Sequence, residues 1–441
     1  MKLNAHSHAN TVRASHWCCH VAVLSALALA APPLQSQVQA LRFGTLVDGN
    51  GGVIRDAVVV VDKDKIVSVA AGGGAIPAGA TVVDLRKYTA IPGMIDLHTH
   101  MTYFWDEAPG TRPLGQQRRL PQVTVFLAQE NARRTLETGV TTVRDLGSSD
   151  YSDIAMRELI NRGAMVGPRM FVAGYGLSRL RAPVRAGTPI PVADPARGRV
   201  SDDTIEIQAA VKAQVDAGAD WIKMYGSTGS YQDVTGRETF TFEAMKAAVD
   251  AAHRAGKRIA IHSYGPEGGR DAMRAGAESV EHPADLDDST LVEWARRGTV
   301  YVPTIDHNRF YAESREQFGW TLEQATALDE FRARNFETAR RAFKAGVVFG
   351  MGSDAVYSMF GQNTRELGFF VQIGMTPAQA LATATINAAA LLGMSDRLGA
   401  IAPGYYADIV AVEGNPLADI NVVLRSVRWV MKGGKVVVDR R

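Results

Sequence analysis

Ile91-Pro92-Gly93-Met94-Ile95-Asp96-Leu97-His98-Thr99-His100 is an apolar run that ends in two histidines one residue apart. Side chains alternate across a strand, so His98 and His100 project to the same face. Two imidazoles at the carboxyl end of a buried strand can grip one metal ion. Four more apolar runs downstream finish on a residue able to join them. Lys223 closes Asp220-Trp221-Ile222-Lys223, His262 closes Arg258-Ile259-Ala260-Ile261-His262, His282 closes Ser279-Val280-Glu281-His282, and Asp354 closes residues 347–354. Five candidate strands thus each end on a metal-ligand type.

Around these runs, strand-like and helix-like segments alternate from residue 91 onward. Further strands are read at 141–146, 170–173 and 299–305, and the helix read at 122–138 is followed by Gly139, a residue suited to a left-handed cap. Eight strands alternating with helices in about 260 residues fit an α/β chain closed into a (β/α)8 TIM barrel better than an open sheet. In a closed barrel the carboxyl ends of all strands meet on one rim, so His98, His100, Lys223, His262, His282 and Asp354 can share one site. His253, on the helical stretch Ala251-Ala252-His253, is read as structural or solvated.

The two ends of the chain differ from this middle. Short strands are read at 41–47, 57–61 and 66–69, separated by Asp48-Gly49-Asn50-Gly51-Gly52 and Asp62-Lys63-Asp64-Lys65, a pattern of antiparallel sheet. Gly72-Gly73-Gly74 lacks the lysine and helix of a phosphate loop and reads as a turn. Residues 398–410, 427–431 and 435–438 are again strand and turn. Two all-β segments flanking a barrel pair most simply into one small β-sandwich. The expected organisation is a signal peptide over 1–40, the amino-terminal portion of the sandwich over 41–90, the barrel over 91–394 and the carboxyl-terminal portion of the sandwich over 395–441.

With 441 residues, 46% hydrophobic and 21% charged, the chain has ample core for this plan. Its first forty residues carry Lys2 and Arg13, no acid, an apolar stretch of eleven residues over 21–31, and then Val38-Gln39-Ala40. That is the pattern of a secretory signal peptide, and eleven residues are too few to span a bilayer. A periplasmic or secreted location is therefore expected. Losing Lys2 and Arg13 from the 48 basic residues leaves 46 against 46 acids, a balance that argues against a nucleic-acid or membrane partner. Cys18 and Cys19 leave with the leader, so the mature chain has neither disulfide nor thiolate, and a metal must be held by nitrogen and oxygen.

These motifs resemble those of the amidohydrolase superfamily, in its exported group related to imidazolonepropionase-like hydrolases, Xaa-Pro dipeptidases and ochratoxin-degrading amidohydrolases. The resemblance is carried by Pro92 to His100, Lys223, His262, His282, Gly352-Ser353-Asp354 and Pro403-Gly404-Tyr405-Tyr406-Ala407-Asp408, and covers essentially the whole mature chain. It implies a two-metal site in which Lys223 is carboxylated on its amine and bridges the ions. Elementary chemistry agrees, because an ammonium cannot bind a cation and a lysine among metal ligands must be neutral or derivatised. Zinc suits histidine and carboxylate donors, and manganese or cobalt could occupy the same set. The expected reaction is attack on an amide or ester carbonyl by a hydroxide bridging the metals, with Asp354 carrying the proton to the leaving group.

Substrate identity is less legible. The 176–200 loop holds Arg179, Arg181, Arg185, Arg197 and Arg199 against one acid, Asp194, and arginine suits bidentate carboxylate binding. Tyr103, Phe104 and Trp105 could form an apolar wall after the first barrel strand, and Tyr225, Tyr231 and His307 follow the fourth and seventh. The expected substrate is a small molecule, an N-acyl or aminoacyl amino acid cleaved in carboxypeptidase or dipeptidase fashion, and the protein is expected to be a homo-oligomer. Within the same class stand a cyclic amidase and a lactonase, and from another class a metal-free barrel that scaffolds or binds. Metal analysis separates the classes.

Overall fold

The computed structural model describes residues 38–114, 119–180, 192–230 and 233–441. Nearly all of the expected leader, with Arg181, Arg185 and Tyr231, lies outside these residues. Four strands come first: β1 (Gln39–Val47), β2 (Val53–Asp62), β3 (Lys65–Ala70) and β4 (Thr81–Pro92). β1 starts two residues ahead of the boundary expected at 41, and Ala40 is fully buried in it.

Strands and helices then alternate: β5 (Met94–Thr99), α1 (Pro121–Glu137), β6 (Val140–Asp145), α2 (Ser152–Asn161), β7 (Arg169–Val172), a short pair β8 (Ser178–Arg179) and β9 (Arg199–Val200), α3 (Thr204–Asp216) and β10 (Trp221–Tyr225). The series continues through α4 (Phe242–Arg254), β11 (Arg258–His262), α5 (Pro266–Ala275), β12 (Ser279–Glu281), α6 (Asp288–Arg297), β13 (Val300–Val302), α7 (Ile305–Glu313), α8 (Arg315–Phe318) and α9 (Leu322–Lys344). After further short helices come β14 (Ile409–Val412), β15 (Val427–Lys432) and β16 (Lys435–Asp439).

Local signals explain the helices that separate the strands. Asp203, Thr241 and Asp287 cap α3, α4 and α6 through their side chains, and Thr321 with Gln324 forms a capping box on α9. α4 buries Ala244, Met245, Ala248, Val249, Ala251 and Ala252, the repeat of a helix with one apolar face. The residues read as one strand over 299–305 divide, since Thr304 takes a left-handed φ of 48° and Ile305 opens α7.

The strands between the helices are all parallel, in orders β5-β6-β7 and β10-β11-β12-β13. Asp220 N, just ahead of β10, joins the two sets by donating to Val172 O of β7 at 2.8 Å, and Leu177, five residues past β7, continues the contact by donating to Lys223 O at 2.8 Å and accepting from Tyr225 N at 2.9 Å. Beyond β13, Tyr301 N donates to Val348 O at 2.9 Å; further along that segment Leu97 N reaches Met351 O at 2.8 Å and Asp354 N reaches His98 O at 2.7 Å. Hydrogen bonds therefore run from β5 through each parallel strand and back to β5. The eighth strand makes bridges rather than a ladder. A Cβ on Gly350 would lie 2.4 Å from Leu97 and one on Gly352 2.5 Å from Val302, so glycine permits this close approach.

The chain ends meet in one seven-stranded sheet, order β16-β15-β14-β4-β1-β2-β3. Its pairs are antiparallel except β1 with β4, which is parallel. Both ends thus contribute to a common β unit, as expected, but as a single continuous sheet. The run 91–100 is two strands rather than one: Pro92 closes β4 opposite Ile409, and Met94 opens β5. Gly93 sits at the joint, where a Cβ would fall 2.3 Å from Thr141 Oγ1 and 2.9 Å from Asp408 Cβ. Among the described residues no helix is long and apolar enough to cross a membrane.

Candidate metal centre

Four histidines converge on Asp354. His98 Nε2 lies 3.5 Å and His100 Nε2 3.3 Å from Asp354 Oδ1; His307 Nε2 lies 3.1 Å and His282 Nε2 4.0 Å from Oδ2. His98, His100 and Asp354 present ligand atoms all within 4.8 Å of one another. His262 joins through ring contacts, its centroid 4.7 Å from that of His282. Lys223 lies on β10, one strand over from His262, with Nζ 5.3 Å from the Tyr225 ring, and that ring is 5.6 Å from His262. The six residues thus stand together, although Lys223 lies in the middle of β10, two residues before its end at Tyr225, rather than closing it, and His282 and Asp354 need left-handed φ values of 75° and 52°.

The outer nitrogen of four of these rings is held, which turns the other inward. His98 Nδ1 donates to Glu281 Oε2 at 2.9 Å, His100 Nδ1 to Gly147 O at 3.0 Å and His307 Nδ1 to Asp354 O at 2.8 Å, while His282 Nδ1 is 2.5 Å from Thr304 Oγ1. Such outer bonds orient metal-binding imidazoles. Burial pushes His98, His262 and His282 well below the usual imidazole range, so these rings stand neutral. Burial acts against charge on His100 too, but its hydrogen bond with Asp354 and the charge there lift it above its ordinary value. Burial would raise Asp354; the facing His307 and the hydrogen bond from His100 overcome this and hold it well below the carboxylate range.

This donor set fits a cation. A neutral His98 whose proton is on Nδ1 turns a bare Nε2 toward a carboxylate oxygen, two acceptors facing each other, and the buried His262 Nε2 has no hydrogen-bond partner at all. A shared positive ion satisfies all of them. Lys223 is 1% exposed and pairs with no described carboxylate, and burial brings its amine down to about 8.

Beneath the histidines lies a group that no sequence pattern singled out. Glu281 and Arg144 are fully buried and paired at 2.9 Å; Arg144 also donates to Leu97 O at 2.6 Å and Ser279 Oγ at 2.9 Å and packs 4.5 Å over Trp221. Asp96 binds Ser353 through N and Oγ, at 2.9 and 2.6 Å, and accepts from Asn363 Nδ2 at 3.0 Å, tying β5 to the turn that carries Asp354.

The amidohydrolase family profile matches residues 89–437. The chain belongs to the amidohydrolase family. Ochratoxinase of Aspergillus niger is 29% identical to it over 432 residues, 91% of this chain and 87% of that protein. Imidazolonepropionase of Geobacillus kaustophilus is 26% identical over 423 residues, covering 88% and 91%. The crystal structure of a Xaa-Pro dipeptidase with methionine bound in its active site superposes with a TM-score of 0.82 at 32% identity, over 90% of this chain and 99% of that one. This amidohydrolase is thus a hydrolase acting on C–N bonds.

Around the amidohydrolase site the expected substrate contacts separate. Tyr103 stacks on His100 at 4.8 Å, while Tyr225 and His307 lie at the centre, beside His262 and Asp354. Arg179 is engaged elsewhere, with Asp202 at 2.6 Å and Thr239 O at 2.7 Å. Trp105 donates to Thr111 Oγ1 at 2.9 Å, and Phe104 lies under Arg119. His253 pairs with Glu278 at 2.8 Å on α4, in keeping with a structural role.

Proposed function

We propose that this amidohydrolase is a metal-dependent carboxypeptidase or dipeptidase-like enzyme that splits N-acyl or aminoacyl amino acids. Its strands form a (β/α)8 barrel, a reading supported by the hydrogen bonds that lead from β5 around to β5. Two divalent ions, zinc by the donor chemistry, are held by His98, His100, His262, His282, Asp354 and a carboxylated Lys223. The observation that carries this reading is the convergence of ring nitrogens on Asp354 while their outer atoms are tied to Glu281, Gly147 and Thr304. Divalent ions held there lower the pKa of water and polarise a carbonyl.

The chain's own groups do the rest. Lys223, a neutral amine above about pH 8 in this buried place, is able to form a bond from Nζ to carbon dioxide with release of one amine proton to water, and the carbamate so formed is the anionic ligand that an ammonium is not. Asp354 faces His307 Nε2 at 3.1 Å, and since His307 Nδ1 already donates to the Asp354 carbonyl, a hydrogen bond across that gap needs one further proton. The Asp354–His307 pair can therefore take a proton from the nucleophile and pass it to the leaving nitrogen. Tyr103 and Tyr225 give the acyl or side-chain portion an aromatic wall.

Metal analysis together with a hydrolysis screen of N-acyl amino acids, dipeptides, cyclic amides and lactones tests this. About two ions per chain, cleavage of the first two classes, and an intact mass heavier by one carbon dioxide are expected. Activity confined to cyclic amides or lactones overturns the peptidase-like reading, and a metal-free protein overturns the whole of it.

A further inference from the structure

A cavity of about 400 Å³ opens beside Tyr103 at the carboxyl rim, bounded by the segments that follow β5 and β6 and by the turn leading into β9. Tyr103, Ser148, Tyr175, Arg119, Arg197 and Arg199 line it. Asp150 is the one acid among the lining residues, and its carboxylate already accepts the Tyr175 hydroxyl at 3.0 Å. Arg119 donates to Phe104 O at 3.1 Å and stands 4.0 Å from Asp106, so it anchors its own loop. Arg197 has only a long 3.9 Å approach to Asp194, and the Arg199 guanidinium pairs with no described residue.

An arginine on a loose loop would remain solvated, but this turn is pinned at each step. Asp194 and Arg199 exchange both backbone hydrogen bonds, at 2.8 and 3.0 Å, Arg199 pairs in register with Ser178, and Val200 beside it is fully buried. Ala196 O accepts the Tyr151 hydroxyl at 2.8 Å. The backbones that carry Arg197 and Arg199 are therefore fixed before anything binds, which reduces the entropy cost of using them. A planar guanidinium with five donors matches a carboxylate.

We propose that this cavity is the pocket for a carboxylate of the amide substrate, with Arg199 as the principal contact and Arg197 as its neighbour. The inference rests on the hydrolase reading above and adds the residues that select a charged amide over an uncharged one. The position fits, since Tyr103 is at once a wall of the cavity and the ring stacked on His100. Tyr103 is thus the side chain that the cavity and the metal centre have in common. The shared chemistry is a carboxylate on either side of the scissile bond.

The test uses holoenzyme, wild type against Arg199→Met and Arg197→Met/Arg199→Met, which keep the apolar stems of two exposed side chains. Benzenesulfonate, an anion with little affinity for metals, reports the pocket by calorimetry whether or not any substrate is turned over. Its affinity is expected to fall tenfold or more in Arg199→Met and further in the double variant; unchanged affinity overturns the proposal. In kinetics, N-benzoyl-phenylalanine, its carboxamide and N-succinyl-phenylalanine carboxamide place the charge on the amine side, nowhere, or on the acyl side. KM for one charged substrate is expected to rise at least tenfold with kcat retained, while the uncharged amide is unaffected. Equal effects on charged and uncharged amides overturn the proposal. So does inorganic phosphate displacing benzenesulfonate where N-benzoyl-phenylalanine does not, which makes the cavity a free-phosphate site. Absence of any amide cleavage refutes the hydrolase reading instead, and the calorimetry still decides the pocket.

Discussion

The seven-stranded sheet is held by hydrocarbon: Phe43, Val59, Leu85, Ile409, Trp429 and Met431 form one cluster of buried side chains drawn from both chain ends. Inside the parallel strands, by contrast, Arg144, Glu281, Asp96, Lys223 and Asp354 are buried charges or potential charges. Apolar burial is non-directional and contributes about 25 cal/mol per Å², so the first region tolerates small displacements. Buried ions cost free energy unless bonded, and here Arg144, Glu281 and Asp96 are held at 2.6–3.0 Å by fixed partners. The difference teaches that one region supplies stability and the other gives up a portion of it to hold ligand atoms in place.

That division is open to attack by substitution. The largest effect is expected from His262→Ala, whose ring nitrogen has no protein partner: metal content and activity fall together, turnover by at least about a thousandfold, roughly 4 kcal/mol of barrier. Urea unfolding of the stripped protein should move little. Trp429→Ala should show the converse, a loss of about 3–5 kcal/mol in unfolding free energy with two ions and normal kcat in the folded fraction. Were it to lose metal instead, the two regions would not be separable.

Glu281→Gln probes the boundary between the two behaviours. It leaves Arg144 buried beside a neutral partner and His98 without its carboxylate, so about 3 kcal/mol of stability is expected to go, along with a ten- to hundredfold weakening of metal retention under chelator challenge. The smallest effect concerns Lys432 in the sheet, which burial lowers to about 8 from 10.5 beside the Arg169–Asp408 pair. A lowered folded pKa means stability that is fully present above the unfolded value and lost as pH falls through the folded one. Relative to Lys432→Met, the wild type should therefore lose about 1–2 kcal/mol between pH 10.5 and 8, allowing for partial exposure. Parallel unfolding curves across that range contradict it.

Much of the site could be read because apolar runs point at their own ends: Lys223, His262, His282 and Asp354 each close one, and His98 and His100 obey strand alternation. Glu281 could not be read that way. Alternation turns neighbours to opposite faces, yet Glu281 and His282 serve one centre because His282 takes φ 75°. His307 was visible only as a residue after the seventh strand, since its 3.1 Å approach to Asp354 depends on Thr304 turning the chain into α7. The break at Gly93 and the parallel pairing of β1 with β4 were hidden for another reason. Both are set by contacts with distant segments, Thr141 and Asp408 in the first case and a strand some forty residues on in the second.

The pairing of the chain ends has a consequence in time. Gln39 donates to Gly434 O, 395 residues later, and β4 has β1 on one edge and β14 on the other. At roughly 5–20 residues per second of synthesis, on the order of 20–80 s separate the appearance of those partners. For that interval the first four strands exist without the neighbour that covers β4, an edge of the kind that recruits other chains. The parallel strands find most of their partners soon after they appear, and only β5 must wait, for the 351–354 segment that closes the set. The sheet is therefore the last region of the molecule to close, and a chain released before Ile409 carries that edge permanently.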